Sequence, residues 1–294
     1  MSDAIKPGQN TPAHNPKVLA INDLAGYSHT SLMAVIPILN TLGIGVTALP
    51  TAVLSSNTEW EGFKLVDLND RLQEFLLHWQ SLGLRFDAIY SGFLSSEQQV
   101  ETVLAAIGMF VKDSSLVVVD PVMADDGSLY PCFSPLIVDS MRRLITQADL
   151  ITPNLTEAVL LLGENYADTF TAGQVEQFCY ALSGLGPQYV VITNVKTPDL
   201  PDKTSVYAFD RTSGQSYRAT CDYLPVNYPG TGDIFTSVLC GLMLGGKSLF
   251  SAIDDAVKFV SKAMELTMKQ ALPQREGICL ELALNLLHPD QKMQ

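Results

Sequence analysis

The sequence predicts an α/β protein with a mostly parallel central sheet. Short apolar runs rich in β-branched residues alternate along the chain with amphipathic segments of helix length. Such runs are typical of strands covered on both faces, and their alternation with helices is typical of repeated βαβ units. The strand candidates are residues 18–21, 46–49, 88–90, 116–119, 150–151 and 189–193.

Recognisable ends support the helices between those strands. A helix over residues 28–42 is predicted to begin at Ser28, as its cap, and to end before a glycine. Ser95 and Gln98 form a capping-box pattern ahead of a further helix. Pro135 suits the first position of another helix, because proline lacks the N–H that would be unsatisfied there.

Three stretches depart from this alternation. Residues 51–58 follow a strand without an obvious helix and are predicted to form a small strand or flap. Residues 205–210 and 215–224 alternate polar and apolar side chains around a Thr-Ser-Gly turn, which predicts a β-hairpin. From Gly232 onward the sequence predicts three helical segments, almost to the end of the chain.

Composition and charge exclude several classes of function. The chain has 294 residues, 47% of them hydrophobic and 17% charged, which is enough apolar material for a large core. Its formal net charge of −13 argues against nucleic-acid binding, which needs clustered Lys and Arg, and against attraction to an anionic membrane. No apolar run approaches the roughly 20 residues of a membrane-spanning helix.

We expect a disordered tail over residues 1–16 and a single domain over residues 17–290. The tail is polar and proline-rich, and it lacks the apolar centre of a signal peptide. The five cysteines are scattered without a C-x-x-C pair, so neither a disulfide framework nor a zinc site is indicated. A reducing cytoplasm is the predicted location.

One phosphate-binding motif is matched in full but in the wrong context. Residues 241–248 fit G-x-x-x-x-G-K-[ST], and an apolar run ending at Asp120 resembles a Walker B strand. A P-loop needs a strand before its glycines, so that their amides surround a phosphate at a helix N-terminus. Residues 234–244 predict a helix instead, so we interpret the match as a turn between two helices.

A second candidate is the glycine-rich segment at 230–233. Gly230 and Gly232 allow a tight turn, and the helix that follows directs its first N–H groups at one point, an arrangement that favours an anion. Asp233 at this place would interact favourably with the helix dipole. The alternative is a simple glycine turn in which Asp233 only caps the helix.

Further polar residues follow the ends of two predicted strands. Asp120 closes one strand, and the carboxyl ends of parallel strands are where open sheets bind ligands. Asn154 and Glu157 open the helix after another strand, three residues apart, so they can face one point. Their oxygens suit Mg²⁺, whereas the structural alternative is that they form a capping box, and both can hold at once.

These motifs belong to a longer ordered set. It consists of Ala-Val-Leu-Ser-Ser-Asn-Thr at 52–58, Ser-Gly-Phe-Leu at 91–94, Asp-Pro-Val-Met at 120–123, Thr-Pro-Asn-Leu-Thr-Glu-Ala at 152–158, Val-Val-Ile-Thr at 190–193 and Gly-Thr-Gly-Asp at 230–233. In this order the set resembles the ribokinase-like superfamily and, within it, the pyridoxal/pyridoxamine kinases of pyridoxal 5′-phosphate salvage. The resemblance implies a three-layer α/β/α fold with a small flap, and ATP-dependent phosphorylation of the 5′-hydroxymethyl group of pyridoxal, pyridoxamine or pyridoxine.

The resemblance also implies a role for each matching residue. Asp233 is the expected catalytic base, and the Gly230, Thr231 and Gly232 amides are expected to stabilise the transferred phosphoryl group. The residues expected to bind ATP are Asp120, Thr152, Asn154, Glu157 and Thr193. Of these, Asp120 and Glu157 are expected to hold Mg²⁺, partly through water. Assistance by K⁺ is left open.

Recognition of the B6 vitamer is expected to involve Asp23, Thr51 and Phe93, together with the base. Many pyridoxal kinases carry Ser in place of Asp23, which leaves the preferred vitamer open. In this family glycine commonly follows Asp-Pro-Val-Met, at the position that Ala124 occupies here. The segment from Ala124 to Gly127 is interpreted as a mobile loop near the nucleotide.

Two alternatives to this function remain. One is a hydroxymethylpyrimidine kinase of thiamine biosynthesis, although such enzymes commonly carry Cys in place of Asp233. The other is a non-catalytic small-ligand-binding protein on the same fold. The resemblance further implies a homodimer, and neither nucleic acid nor membrane is an expected partner.

Overall fold

The computed structural model describes residues 15–288. Nearly all of the predicted tail, residues 1–14, and the last two residues of the predicted domain, 289–290, therefore lie outside the described residues. Within residues 15–288, no helix is long and apolar enough to cross a membrane.

Residues 15–288 contain eleven strands, of which nine form the central sheet and two form a separate pair. In chain order the strands are β1 (Lys17–Ala25), β2 (Gly45–Leu54), β3 (Leu65–Asp67), β4 (Ala88–Ser91), β5 (Leu116–Val119), β6 (Ala124–Asp125), β7 (Ser128–Leu129), β8 (Leu150–Ile151), β9 (Tyr189–Val195), β10 (Lys203–Asp210) and β11 (Gln215–Asp222). The sheet order is β11-β10-β9-β8-β5-β4-β1-β2-β3, and β6 pairs with β7 separately. The six inner strands from β9 to β2 run parallel, whereas β3, β10 and β11 pair antiparallel.

In the part of the chain that the structure describes, eight α-helices cover the two faces of this sheet. They are α1 (Leu32–Thr41), α2 (Asn69–Ser81), α3 (Glu97–Phe110), α4 (Leu136–Ile145), α5 (Leu155–Leu162), α6 (Ala172–Ser183), α7 (Thr231–Leu244) and α8 (Leu249–Met268). Successive residues of β1 belong to different cores: Leu19 lies in the core that includes side chains of α2 to α6, and Ala20 lies in the core that includes side chains of α1, α7 and α8. Because neighbouring strand residues face opposite sides of a sheet, the helices form two outer layers. The predicted three-layer fold is confirmed.

The predicted strands are all present, and two departures from the alternation are explained. Strand β2 continues through the predicted flap as far as Leu54, where it pairs with the short edge strand β3. The predicted hairpin is formed by β10 and β11, which pair over their whole lengths. Both observations agree with the sequence prediction.

The predicted start of α1 is wrong. The helix begins at Leu32 rather than at Ser28, because Ser28 (φ 97°) and Ser31 (φ 54°) both have positive φ, a backbone conformation that a right-handed helix excludes. The Ser28 hydroxyl instead accepts a hydrogen bond from the side chain of Asn57, over 2.8 Å. Tertiary contacts therefore displace the cap.

Other boundaries differ by smaller amounts. The cap of α3 is Ser96, which accepts from the Gln99 N–H, one residue beyond the predicted pair Ser95 and Gln98. Pro135 occupies the N-cap of α4 rather than its first helical position. Only α7 and α8 of the three predicted C-terminal segments are α-helices; three short 3₁₀ turns follow, Gln274–Glu276, Leu280–Leu282 and Leu284–Leu287. The segment interpreted as a mobile loop contains strand β6 and the two residues that join it to its partner β7.

The P-loop match is a turn between two helices, as predicted. Gly241 lies inside α7, where an added Cβ would stand 2.5 Å from Leu42 Cδ1, so this glycine serves helix packing. Gly245 ends α7, and Ser248 is the N-cap of α8. The ammonium group of Lys247 forms an ion pair with Asp255.

We expect Lys247→Ala to leave ATP turnover and thermal stability almost unchanged. The Lys247–Asp255 pair lies on a partly exposed surface, and such pairs contribute about 0–1 kcal/mol. Steady-state ATP turnover and thermal unfolding of the variant measure both quantities. Loss of turnover at an unchanged unfolding temperature would contradict the interpretation of the match as a helix turn.

Candidate active site

The candidate site lies at the carboxyl edge of the parallel strands. Asp23 stands near the end of β1, Asp120 directly follows β5, Thr152 directly follows β8, and Thr193 lies near the end of β9. Because parallel strands end at the same edge of a sheet, these residues meet there although they are distant in sequence. Helix α7 directs its N-terminus, with Asp233 in its first turn, at the same edge.

The turn before α7 requires glycine at position 230. Gly230 has φ 87°, and an added Cβ would stand 2.5 Å from the carbonyl oxygen of His29. The backbone of the turn therefore touches the loop that leads into α1, a contact that only glycine permits. Helix α7 starts at the next residue, and its first N–H groups have no partner within the helix.

Asp233 is held by two hydrogen bonds that the sequence did not predict. The backbone N–H of Ser31 donates to Oδ2 over 2.8 Å, and the side-chain amide of Asn22 donates to Oδ1 over 3.2 Å. Burial raises the pKa of Asp233, and these two donors act in the opposite direction. The carboxylate is thus fixed in orientation, with its basicity increased by burial.

Asp120 lies opposite the glycine turn. Its Oδ1 accepts from the Thr152 hydroxyl over 3.1 Å, and Thr152 accepts in turn from Thr236 of α7 over 2.9 Å. Its Oδ2 lies 3.8 Å from the point where a Cβ on Gly232 would stand. Burial, followed by the nearby charge of Asp233, raises the pKa of Asp120 to about 8. Thr236 is a further residue that the sequence analysis missed.

Asn154 and Glu157 form the capping box that the sequence allowed. The Asn154 side chain accepts from the Glu157 N–H over 2.9 Å, and Glu157 Oε2 accepts from the Asn154 N–H over 2.8 Å. The other carboxylate oxygen, Oε1, accepts from the Met123 N–H over 3.0 Å. Burial and the charge of Asp120 raise the pKa of Glu157. The structural role is confirmed, and the ligand role stays a prediction.

Thr193 lies beside this box and next to a pocket. Its N–H donates to the Pro153 carbonyl over 2.9 Å, so β9 is joined to the start of α5. Asn194, which follows, has φ 55° within a strand, an uncommon conformation. A pocket of about 140 Å³ opens here, and its lining includes Asp125, Asn154, Tyr166, Asn194 and Lys196. Asn194 and Lys196 carry no motif, so nothing in the sequence marked them.

The three predicted vitamer-binding residues lie at the ends of neighbouring strands. Asp23 is buried and accepts a short hydrogen bond from the Ser31 hydroxyl; burial is the main cause that raises its pKa to about 7. Thr51 is buried too, and its hydroxyl has no hydrogen-bond partner among residues 15–288. Phe93 is half-buried, with its ring 5.5 Å from that of Phe133.

Comparison with known proteins identifies the family. Residues 36–277 match the family model of phosphomethylpyrimidine kinase. A structure from Bacteroides thetaiotaomicron VPI-5482, assigned as a phosphomethylpyrimidine kinase and solved with pyridoxal, is 44% identical with a TM-score of 0.91, over 95% of this chain and 97% of that one. Pyridoxal kinase from Lactobacillus plantarum is 31% identical with a TM-score of 0.85, over 92% and 96%. Pyridoxal kinase PdxY of Rubrobacter xylanophilus is 27% identical over 280 residues, 91% of this chain and 93% of the relative.

These matches extend along almost the whole chain and agree in sequence and in fold. They confirm the resemblance stated from the ordered motifs, and they confirm that the protein is a kinase. The chain belongs to the phosphomethylpyrimidine kinase family, as a member of the ribokinase-like superfamily that is similar to pyridoxal kinases.

Proposed function

We propose that the protein uses ATP to phosphorylate the 5′-hydroxymethyl group of a vitamin B6 vitamer: pyridoxal, pyridoxamine or pyridoxine. This is the function predicted from the sequence, and the pyridoxal kinases among the relatives support it. A relative solved with pyridoxal favours a B6 vitamer over the pyrimidine of thiamine biosynthesis. The product would enter pyridoxal 5′-phosphate salvage.

One observation carries this proposal: the half-buried Asp233 carboxylate is oriented by Ser31 and Asn22 directly after the glycine turn. A base that is fixed in this way can accept the proton of a substrate hydroxyl while the hydroxyl oxygen attacks the γ-phosphorus of ATP. The bond between the γ-phosphorus and the β–γ bridging oxygen breaks in the same step, and ADP leaves. Its raised pKa, caused by burial, strengthens it as a proton acceptor. Asp233 is therefore assigned as the general base.

The glycine turn supplies the second part of the site. The N–H groups of Gly230, Thr231 and Gly232 stand at the N-terminus of α7, where intrahelical acceptors are lacking. Donors and a helix dipole that are aimed at one place stabilise the negative charge of the transferring phosphoryl group without reorganisation. Asn154, Thr152 and Thr193 are assigned to the rest of the nucleotide phosphates.

The residues around Asp120 fit a magnesium ion that is shared with phosphate oxygens. Its carboxylate faces the glycine turn, and burial, followed by the neighbouring charge of Asp233, raises its pKa, so a divalent cation there would stabilise both charges. Glu157 uses both carboxylate oxygens to accept backbone N–H groups, which suits contact through water rather than direct coordination. Bound Mg²⁺ supplies neutralisation of the phosphate charge.

The vitamer ring is assigned to the region of Asp23, Thr51 and Phe93. The unpartnered hydroxyl of Thr51 offers a hydrogen bond to a polar ring substituent, and Phe93 offers an apolar face. The homodimer that the resemblance implies and the cytoplasmic location predicted from the cysteines and the N-terminal sequence stay predictions, and assistance by K⁺ stays open.

We expect Asp233→Asn to lower kcat about 100- to 10,000-fold while KM for the vitamer is largely kept, because an amide of the same shape cannot take the proton. Steady-state kinetics with ATP and Mg²⁺ measure the effect. The matched control is Asp254→Asn, which removes a carboxylate of α8 that accepts from Tyr217 outside the site. Near-normal kcat in Asp233→Asn would contradict its assignment as the base.

We expect a B6 vitamer to have the highest kcat/KM among pyridoxal, pyridoxamine, pyridoxine and hydroxymethylpyrimidine. The four compounds are compared at equal ATP and Mg²⁺ concentrations. A preference for the pyrimidine would establish the thiamine alternative. Turnover of none of the four compounds would contradict the proposed substrate class.

We expect Asp120→Asn to change the Mg²⁺ dependence of the rate and Glu157→Gln to change the stability. Asp120→Asn should raise the Mg²⁺ concentration for half-maximal rate about 10- to 100-fold, since an anionic oxygen is lost near the metal. Glu157→Gln should instead lower stability by about 1–3 kcal/mol, because an amide NH₂ then faces a backbone N–H. Magnesium titration and thermal unfolding separate the effects. Equal shifts of the Mg²⁺ dependence in both variants would contradict a metal-binding role for Asp120 alongside a mainly structural role for Glu157.

A further inference from the structure

Ser31 occupies the N-cap of α1 and yet does not cap it. Serine at this position usually accepts a hydrogen bond from the second or third N–H of the helix, which contributes about 1 kcal/mol. Within the described part of the chain, the Ser31 side chain makes no such bond. Its hydroxyl instead donates to Oδ1 of Asp23. The Ser31 hydroxyl therefore bonds to Asp23 of β1 instead of capping α1.

The backbone of Ser31 is strained as well. Its φ of 54° and ψ of −133° lie outside the regions that non-glycine residues ordinarily adopt. Such conformations cost of order 1–3 kcal/mol and persist only where surrounding contacts impose them. Two contacts act on this residue from β1: the bond to Asp23 and a backbone bridge between Leu24 and Ser31.

This strained conformation directs the Ser31 N–H at the base. The N–H donates to Asp233 Oδ2 over 2.8 Å, between residues that are 202 positions apart. The other oxygen of Asp233 is held by Asn22, whose own carbonyl oxygen Oδ1 accepts the Asp23 N–H over 3.0 Å. Asn22, Asp23, Ser31 and Asp233 therefore form one closed hydrogen-bonded ring.

The pairing of β1 with β2 is irregular beside this ring. Asn22 pairs with Pro50 but Leu24 pairs with Val53, so β2 has one extra residue opposite Asp23. Irregularities of this kind redirect a side chain and occur often beside active sites.

From this arrangement we propose that Asp23 and Ser31 are positioning residues for the base: the Asp23 carboxylate holds the Ser31 hydroxyl, and Ser31 thereby holds the orientation of Asp233. The proposal rests on the assignment of Asp233 as the base in the proposed function. It gives Asp23 a role that acts through Ser31, in addition to any contact with the vitamer ring.

The test is a double-mutant cycle in kcat. Ser31→Ala and Asp23→Ala are each expected to lower kcat about tenfold, with KM for the vitamer changed less than twofold by Ser31→Ala. The double variant is expected to be no slower than the slower single variant, because both substitutions break the same connection. Asp23→Asn keeps an acceptor for the Ser31 hydroxyl and is expected to restore kcat to within about threefold of wild type.

Two further variants secure the interpretation. Ser31→Gly removes the hydroxyl but accommodates positive φ, so it stays folded and is expected to show the same loss of kcat. Thr41→Ala removes a hydroxyl at the opposite end of α1, where it donates to the Pro37 carbonyl, and is expected to keep wild-type kcat. Thermal unfolding of every variant is measured in parallel.

The outcomes separate the two levels of inference. Wild-type kcat in both Ser31→Ala and Ser31→Gly overturns the positioning role, as do additive losses in the double variant, which would assign Asp23 to the vitamer alone. An active Asp233→Asn overturns the assignment of the base, whatever the Ser31 variants do. An inactive Asp233→Asn together with fully active Ser31 variants leaves the proposed function in place and removes only this inference.

Discussion

The burial of several carboxylates at one sheet edge is the constraint on which the site depends. Asp23, Asp120, Glu157 and Asp233 are all held there by hydrogen bonds. An isolated buried charge is costly, so each needs donors or a cation nearby. The partners come from β1, from the start of α1, from α7 and from the α5 capping box, and the local architecture is arranged around them.

The four carboxylates are satisfied in different ways, and this difference separates their tasks. Glu157 accepts N–H groups with both oxygens and thereby fixes the start of α5 against the segment after β5. Within residues 15–288, the Asp120 carboxylate accepts a hydrogen bond from the Thr152 hydroxyl and none from a backbone N–H group. Asp233 has one backbone donor and one amide donor, which orient it without neutralising it. Residue type alone does not distinguish these roles.

Much of the fold and part of the site follow from the sequence. The inner strands are continuous apolar runs, because a parallel sheet is covered on both faces, and this makes them easy to locate. Asp120 and Asp233 are also predictable, since one directly follows such a run and the other follows a glycine turn before an apolar helix. These signals are local, because each apolar run or glycine turn lies within a few residues of the strand end or side chain that it predicts.

The features that were missed depend on contacts between distant parts of the chain. Serine is a residue type that often caps helices, but the bond of Ser28 to Asn57 and its positive φ exclude it as the cap of α1. Ser31, Asn22 and Thr236 became recognisable only once the strands and α7 had been placed together. The two-residue strands β6 and β7 are too short to show a period of alternation.

The close approach of Gly230 to the carbonyl oxygen of His29 has a consequence for how such proteins diversify. The loop that leads into α1 and the glycine turn at Gly230 contact each other through their backbones. A change in the backbone path of one segment therefore requires a matching change in the other. A chimera assembled from two relatives would therefore need both segments from one parent. The short sequence between β1 and α1 is thus constrained by a turn that is encoded some 200 residues later.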